Sequence, residues 1–81
     1  MKIDRTRAMW PQIAAAITQR IKDGTYPPGS KIPSVVQIAA EFEVVNSTAQ
    51  RAMEAVRAEG LTRAEKGMGT FVLTPEERES S

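Results

Sequence analysis

Apolar residues recur every three or four positions near the start of the chain, at Trp10, Ile13, Ala14, Ile17 and Ile21, with Gln12, Thr18, Gln19, Lys22 and Asp23 between them. That spacing predicts an amphipathic helix. Pro11 suits its first turn, where no N–H is needed, and Gly24 suits its end. The next stretch, Thr25 to Pro33, holds three prolines and reads as an ordered, extended connection without regular structure. Ser34 then stands as the N-cap of a second, short helix running to about Phe42. Ile38, Ala39 and Phe42 would form its inner face, with Gln37, Glu41 and the first-turn valines outside.

A tight turn around Glu43-Val44-Val45 leads to a third helix, about Asn46 to Glu59, whose inner stripe is Ala49, Ala52, Met53 and Val56 and whose stop is Gly60. Beyond Gly60 the period changes. Leu61 to Glu65 and Thr70 to Leu73 read as two strands around the glycine-containing turn Lys66-Gly67-Met68-Gly69. The predicted architecture is α+β and mainly α: three helices, the last two a helix-turn-helix, then a two-stranded β-hairpin wing. Residues 10–73 form this domain, residues 1–9 an N-terminal arm and residues 74–81 a frayed, flexible tail.

Composition narrows the chemistry. The 81 residues hold no cysteine and no histidine, so thiolate chemistry, disulfides, structural zinc and an imidazole acid or base are excluded, and no enzyme, metal site or cofactor is expected. No run of about 18 apolar residues offers a membrane span and no signal-peptide stretch opens the chain, which makes the cytoplasm the default. Net charge is +1, but the last eight residues carry three glutamates and one arginine, leaving +3 on residues 1–73. That mild basicity permits nucleic-acid binding without announcing it, and it argues against an architectural DNA binder with no sequence preference.

Three separated stretches sharpen the picture: Tyr26-Pro27-Pro28-Gly29-Ser30-Lys31-Ile32-Pro33-Ser34, then Ala55-Val56-Arg57-Ala58-Glu59-Gly60-Leu61, then Lys66-Gly67-Met68-Gly69-Thr70-Phe71-Val72. In this order and spacing they resemble the DNA-binding domain of the GntR family of bacterial transcription regulators. The resemblance implies a winged helix-turn-helix repressor head, whose third helix enters the major groove and whose wing reaches an adjacent groove. It also implies a partner, double-stranded DNA, bound by a homodimer on a two-fold operator. The family's larger effector-binding domain is not expected within this chain, which is either an excised head or a stand-alone one.

The chain departs from the family where contacts to DNA are made. Arginines usual at the positions of Val36, Asn46 and Gln50 are absent, the small N-cap of the third helix is Val45, the glycine of the turn is Glu43, and the basic residue between the wing glycines is Met68. Two readings stay open. Asn and Gln can read adenine as arginine reads guanine, which would alter specificity. Alternatively the DNA surface is weakened, and the chain is a winged-helix protein-interaction module that uses Val36, Val45 and Met68.

The candidate DNA-binding residues are Lys31, Ser34, Asn46, Ser47, Thr48, Gln50, Arg51, Lys66, Gly67 and Gly69, most of them able to donate to phosphates or base edges. Each has a plainer reading. Ser47 and Gln50 have capping-box spacing, which would turn Gln50 back onto the backbone. Arg51 can pair with Glu54 or Glu41, Lys31 and Lys66 can be solvated surface charges, and the glycines can serve only the backbone of the turn. Trp10 and Tyr26 are read as core residues, not as bases' stacking partners.

Overall fold

The chain was analysed as a computed structural model, which describes residues 3–79. Its elements are α1 (Met9–Lys22), α2 (Val35–Phe42), α3 (Asn46–Ala58), β1 (Thr62–Glu65), β2 (Gly69–Val72) and α4 (Pro75–Glu79). The first five follow the predicted order. Strands β1 and β2 pair antiparallel, Thr62 facing Val72 and Glu65 facing Gly69, with Lys66 to Met68 as the connecting turn.

The core forms where the three apolar stripes meet. Ile13, Ile17 and Ile21 of α1, Ile38 and Phe42 of α2, and Ala49, Ala52 and Val56 of α3 are buried together with Ile32 and Val72. Alanines at 49 and 52, both fully buried, let α3 lie close against its neighbours. Ala14, expected in the stripe of α1, is only half-buried, and Ala16 is buried in its place. Burial of each large aliphatic or aromatic side chain contributes about 1.5–3 kcal/mol. Among the described residues, one polar group enters at a cost: the Thr62 hydroxyl is buried with no hydrogen-bond partner there.

Two predicted segments carry more regular structure than expected. The proline-rich connection supplies an extra edge to the hairpin: Ile32 N–H donates to the Thr70 carbonyl at 2.9 Å, Val72 N–H to the Ser30 carbonyl at 2.9 Å, and Gly29 N–H to the Val72 carbonyl at 2.9 Å. Prolines 27, 28 and 33 flank this segment without falling on a donating residue, so the missing N–H groups cost nothing here. The tail from Thr74, expected to fray, instead forms α4. Its start is capped reciprocally, Glu77 N–H to Thr74 Oγ1 at 3.2 Å and Thr74 N–H to Glu77 Oε1 at 3.0 Å, and Arg63 Nε of β1 donates to Glu77 Oε2 at 2.8 Å. Ser80 and Ser81 lie outside the described residues.

The N-terminal arm is also tied down over its described part, Met1 and Lys2 lying outside the described residues. Gln12 brackets Asp4, accepting its N–H at 2.7 Å and donating to its carbonyl at 2.7 Å. Arg5 then reaches the end of α2, donating to the carbonyls of Phe42 at 2.8 Å and Glu43 at 3.1 Å. Those carbonyls belong to the last turn of α2, where no intrahelical donor remains and a cation is favoured. Glu43 itself sits at φ 56°, ψ 50°, the left-handed conformation that glycine adopts at least cost.

Candidate nucleic-acid interface

The interface is positioned by the turn between α2 and α3. Val44 N–H donates to the Ala39 carbonyl at 3.0 Å, and the Val44 side chain packs on the core. Val44 and Ala49 occupy the two positions of a hydrophobic staple around the start of α3. The helix therefore begins at Asn46, with Val45 as its N-cap and no side-chain cap. Ser47 is already the second helical residue, so the box expected between Ser47 and Gln50 does not form.

At roughly 100° per residue, the buried stripe Ala49-Ala52-Met53-Val56 leaves Ser47, Arg51 and Glu54 pointing directly outward. Asn46, Gln50 and Arg57 lie on the flank toward the wing. Asn46, Ser47 and Gln50 are exposed, and no hydrogen bond or ion pair engages their side chains among the described residues. Thr48 is half-buried on the opposite flank. A cleft of about 350 Å³ separates α3 from the hairpin, lined by Val35, Gln50, Met53, Glu54, Arg57, Thr62, Ala64 and Thr70. It brings the first turn of α2, the outer face of α3 and the sheet together beside Gln50.

Arg51 pairs with neither Glu54 nor Glu41. Its guanidinium lies 4.8 Å from the centre of the Trp10 ring, a stacked cation–π contact that holds a cation at the edge of the outward face. Trp10 is thus half-buried and acts as a platform as much as a core residue. Nothing in the sequence relates positions 10 and 51; only the packing of α1 on α3 does. Glu41 pairs instead with Arg20, which also donates to the Tyr26 hydroxyl at 2.6 Å. The hydrogen bonds from Arg20 hold the Glu41 carboxyl below the usual carboxylate range, while Glu41 in turn raises the Arg20 pKa.

Ser34 is committed to structure. Its Oγ accepts from Gln37 N–H at 3.2 Å while Gln37 Oε1 accepts from Ser34 N–H at 2.8 Å, a complete capping box. Lys31 lies on the extra edge of the sheet, bridged to Phe71, and its stem crosses Gly69 so closely that a Cβ there would sit 2.5 Å from Lys31 Cε. Gly69, at φ 122°, therefore serves both the backbone of the turn and the passage of Lys31, while Gly67 at φ 78° serves the turn alone. Lys66 stands exposed at the wing tip. Arg63, behind the tip, lies 5.2 Å from the Phe71 ring centre and pairs with Glu65 and Glu77, so it is occupied.

Three helices with a tight turn before the last, followed by a hairpin, define a winged helix-turn-helix DNA-binding domain. Residues 11–72 match the family of bacterial regulatory proteins called the gntR family, and the chain belongs to it. An uncharacterised HTH-type transcriptional regulator of Rhizobium meliloti is 40% identical over 65 residues, 80% of this chain and 27% of its own length. The histidine utilization repressor of Pseudomonas putida is 31% identical over 70 residues, 86% of this chain and 28% of its own. The chain thus spans little more than a quarter of these relatives. The DNA-binding domain of AraR, solved with operator ORX1, superposes with a TM-score of 0.74 at 30% identity, covering 78% of this chain and 76% of that one. No helix among the described residues is long and apolar enough to cross a membrane.

Proposed function

We propose that this chain is the DNA-reading head of a cytoplasmic transcriptional repressor, without catalysis of its own, acting as a homodimer on a two-fold operator. The observation that carries the reading is the exposed start of α3, its outward face together with the flank toward the wing. Its side chains at 46, 47 and 50 are polar, exposed and uncommitted, on a domain whose like in AraR is seen on an operator. Recognition helices contact base edges with their N-terminal residues, and here those residues are free to do so. Asn46, Ser47 and Gln50 face the bases. Arg51, steadied by Trp10, takes a phosphate, as do Lys31, Thr48 and the wing at Lys66, Gly67 and Gly69. Ser34 contributes by fixing the start of α2, its N–H held by Gln37 Oε1 and its Oγ accepting from Gln37 N–H, which leaves the hydroxyl proton to donate to a phosphate.

The test is an NMR titration of the labelled 81-residue chain with a random-sequence duplex at low and moderate salt. Amide shifts at Ser34, Asn46 to Arg51 and Lys66 to Gly69 that fade as salt rises are expected, because phosphate contacts release counterions. A second reading, a protein-docking winged helix, has in its favour Val36, Val45 and Met68, exposed at 63%, 65% and 63%. Absence of any shift on these elements at low salt would favour it and overturn the first.

A further inference from the structure

Val45 and Val36 are the least expected side chains on this face. Val45 occupies the N-cap of α3, where Ser, Thr, Asp or Asn would satisfy an open backbone N–H, and its side chain is 65% exposed. Val36 is 63% exposed in the first turn of α2, one residue after Val35, which shares the cleft with Gln50. Each gives methyl groups to solvent where a polar residue would serve the fold better. Val45 also directly precedes the uncommitted amide of Asn46 at the start of α3.

The remaining groups limit what the face can recognise. Guanine is read best by a bidentate cation, and α3 has none at positions 46, 47 or 50; Arg57, on the same flank, lies seven residues beyond Gln50, roughly 10 Å further along the helix axis. Its Arg51 is stacked on Trp10 and points away from the flank that carries the amides. A side-chain amide pairs bidentately with the N7 acceptor and N6 donor of adenine. In the same base pair, thymine presents its C5 methyl group to the major groove. Amides beside exposed methyl groups therefore match both edges of an A·T pair, whereas to a G·C pair an amide offers only single hydrogen bonds and the methyl groups find no partner.

We propose that this face reads A·T base pairs, Asn46 and Gln50 taking adenine edges while Val45 packs on a thymine methyl group. The inference rests on the DNA-reading function argued above and gives its base preference. The exposed Val45 is a contact residue for DNA and not part of a protein-docking patch.

The experiment uses the intact 81-residue chain to select duplexes from a randomised pool at moderate salt, then measures binding to the selected site with thymine replaced by uracil, which removes only the methyl group. Selected sites should carry A·T pairs at adjacent positions, and changing one to G·C should weaken binding about 10-fold or more. Uracil should weaken the wild type and Val45→Thr, which keeps a methyl group, about 3- to 5-fold. Val45→Ser should bind the thymine site more weakly and be indifferent to uracil, and Gln50→Ala should lose the preference at one position. Retention of duplexes without A·T enrichment, or a wild type indifferent to uracil, would overturn the proposal while leaving DNA binding intact. Failure to retain any duplex would overturn the DNA-reading function, and the proposal with it.

Discussion

The chain contains the stretch Ser-x-x-Gln twice, at 34–37 and at 47–50, and the two copies have opposite fates. The first closes into a capping box and starts α2. The second begins at the second residue of α3, its serine and glutamine free of any such bond. The local sequence is equivalent; what differs is the anchor beside it. Val44 packs on the core and the left-handed turn at Glu43 sets the chain direction, so α3 begins at Asn46 before Ser47 can act as a cap. A helix start is thus decided by tertiary packing when packing and capping compete, a contest worth about 1 kcal/mol on the capping side. The losing copy is the one that faces outward with its hydrogen-bonding capacity unspent.

That contrast can be broken in graded steps. Ser34→Ala should destabilise the domain by about 1 kcal/mol, because it opens the box at α2. In a domain of this size that lowers the melting temperature by roughly 4–8 °C in a calorimetric scan. Val45→Ser should act in the other direction, supplying the cap α3 lacks and raising stability by about 0.5–1 kcal/mol in urea unfolding, while it weakens DNA binding. A substitution that stabilises the fold and impairs recognition would mark the residue as kept for contact.

Acid should leave both serines untouched and act on the ion pair behind α2. The Glu41 carboxyl is held below its ordinary value of 4.5 by Arg20. Its contribution is therefore complete above that ordinary value and is lost as pH falls through the lower, folded one. The pair is partly exposed, so the loss should stay under about 1 kcal/mol in unfolding measured from pH 6 to pH 3, and Glu41→Gln should flatten that part of the profile. The smallest effect is expected at Ser47→Ala, within about 0.5 kcal/mol of wild type in the same assay. A loss comparable to that of Ser34→Ala would mean that the second copy does cap its helix in solution.

The three helices and the hairpin were legible because each carries a period and a stop that the structure keeps: the stripe of α3 from Ala49 to Val56, Gly60 after it, and the glycines of the wing. Three things were not. The pairing of Ser30 to Ile32 with β2 was hidden by prolines that turn out to flank the bonded residues. The helical turn after Thr74 rests on an ion pair between Glu77 and Arg63, a contact 14 residues apart with no periodic signature. Of the interface, the candidate residues of α3 could be named, but which of them are uncommitted could not. That depended on where α3 starts and on the approach of Trp10 to Arg51.

The family match begins at residue 11, yet Arg5 holds the two carbonyls that end α2 beside a glutamate in a conformation suited to glycine. The stretch that matches the family as a whole is therefore shorter than the stretch that keeps this turn closed. A head grafted onto another protein from residue 11 onward would carry all the recognition residues and leave behind the brace for the angle at which they are presented. Grafts that retain the arm, or that restore glycine at position 43 and so relieve the turn of its strain, are the ones in which α3 should keep its aim.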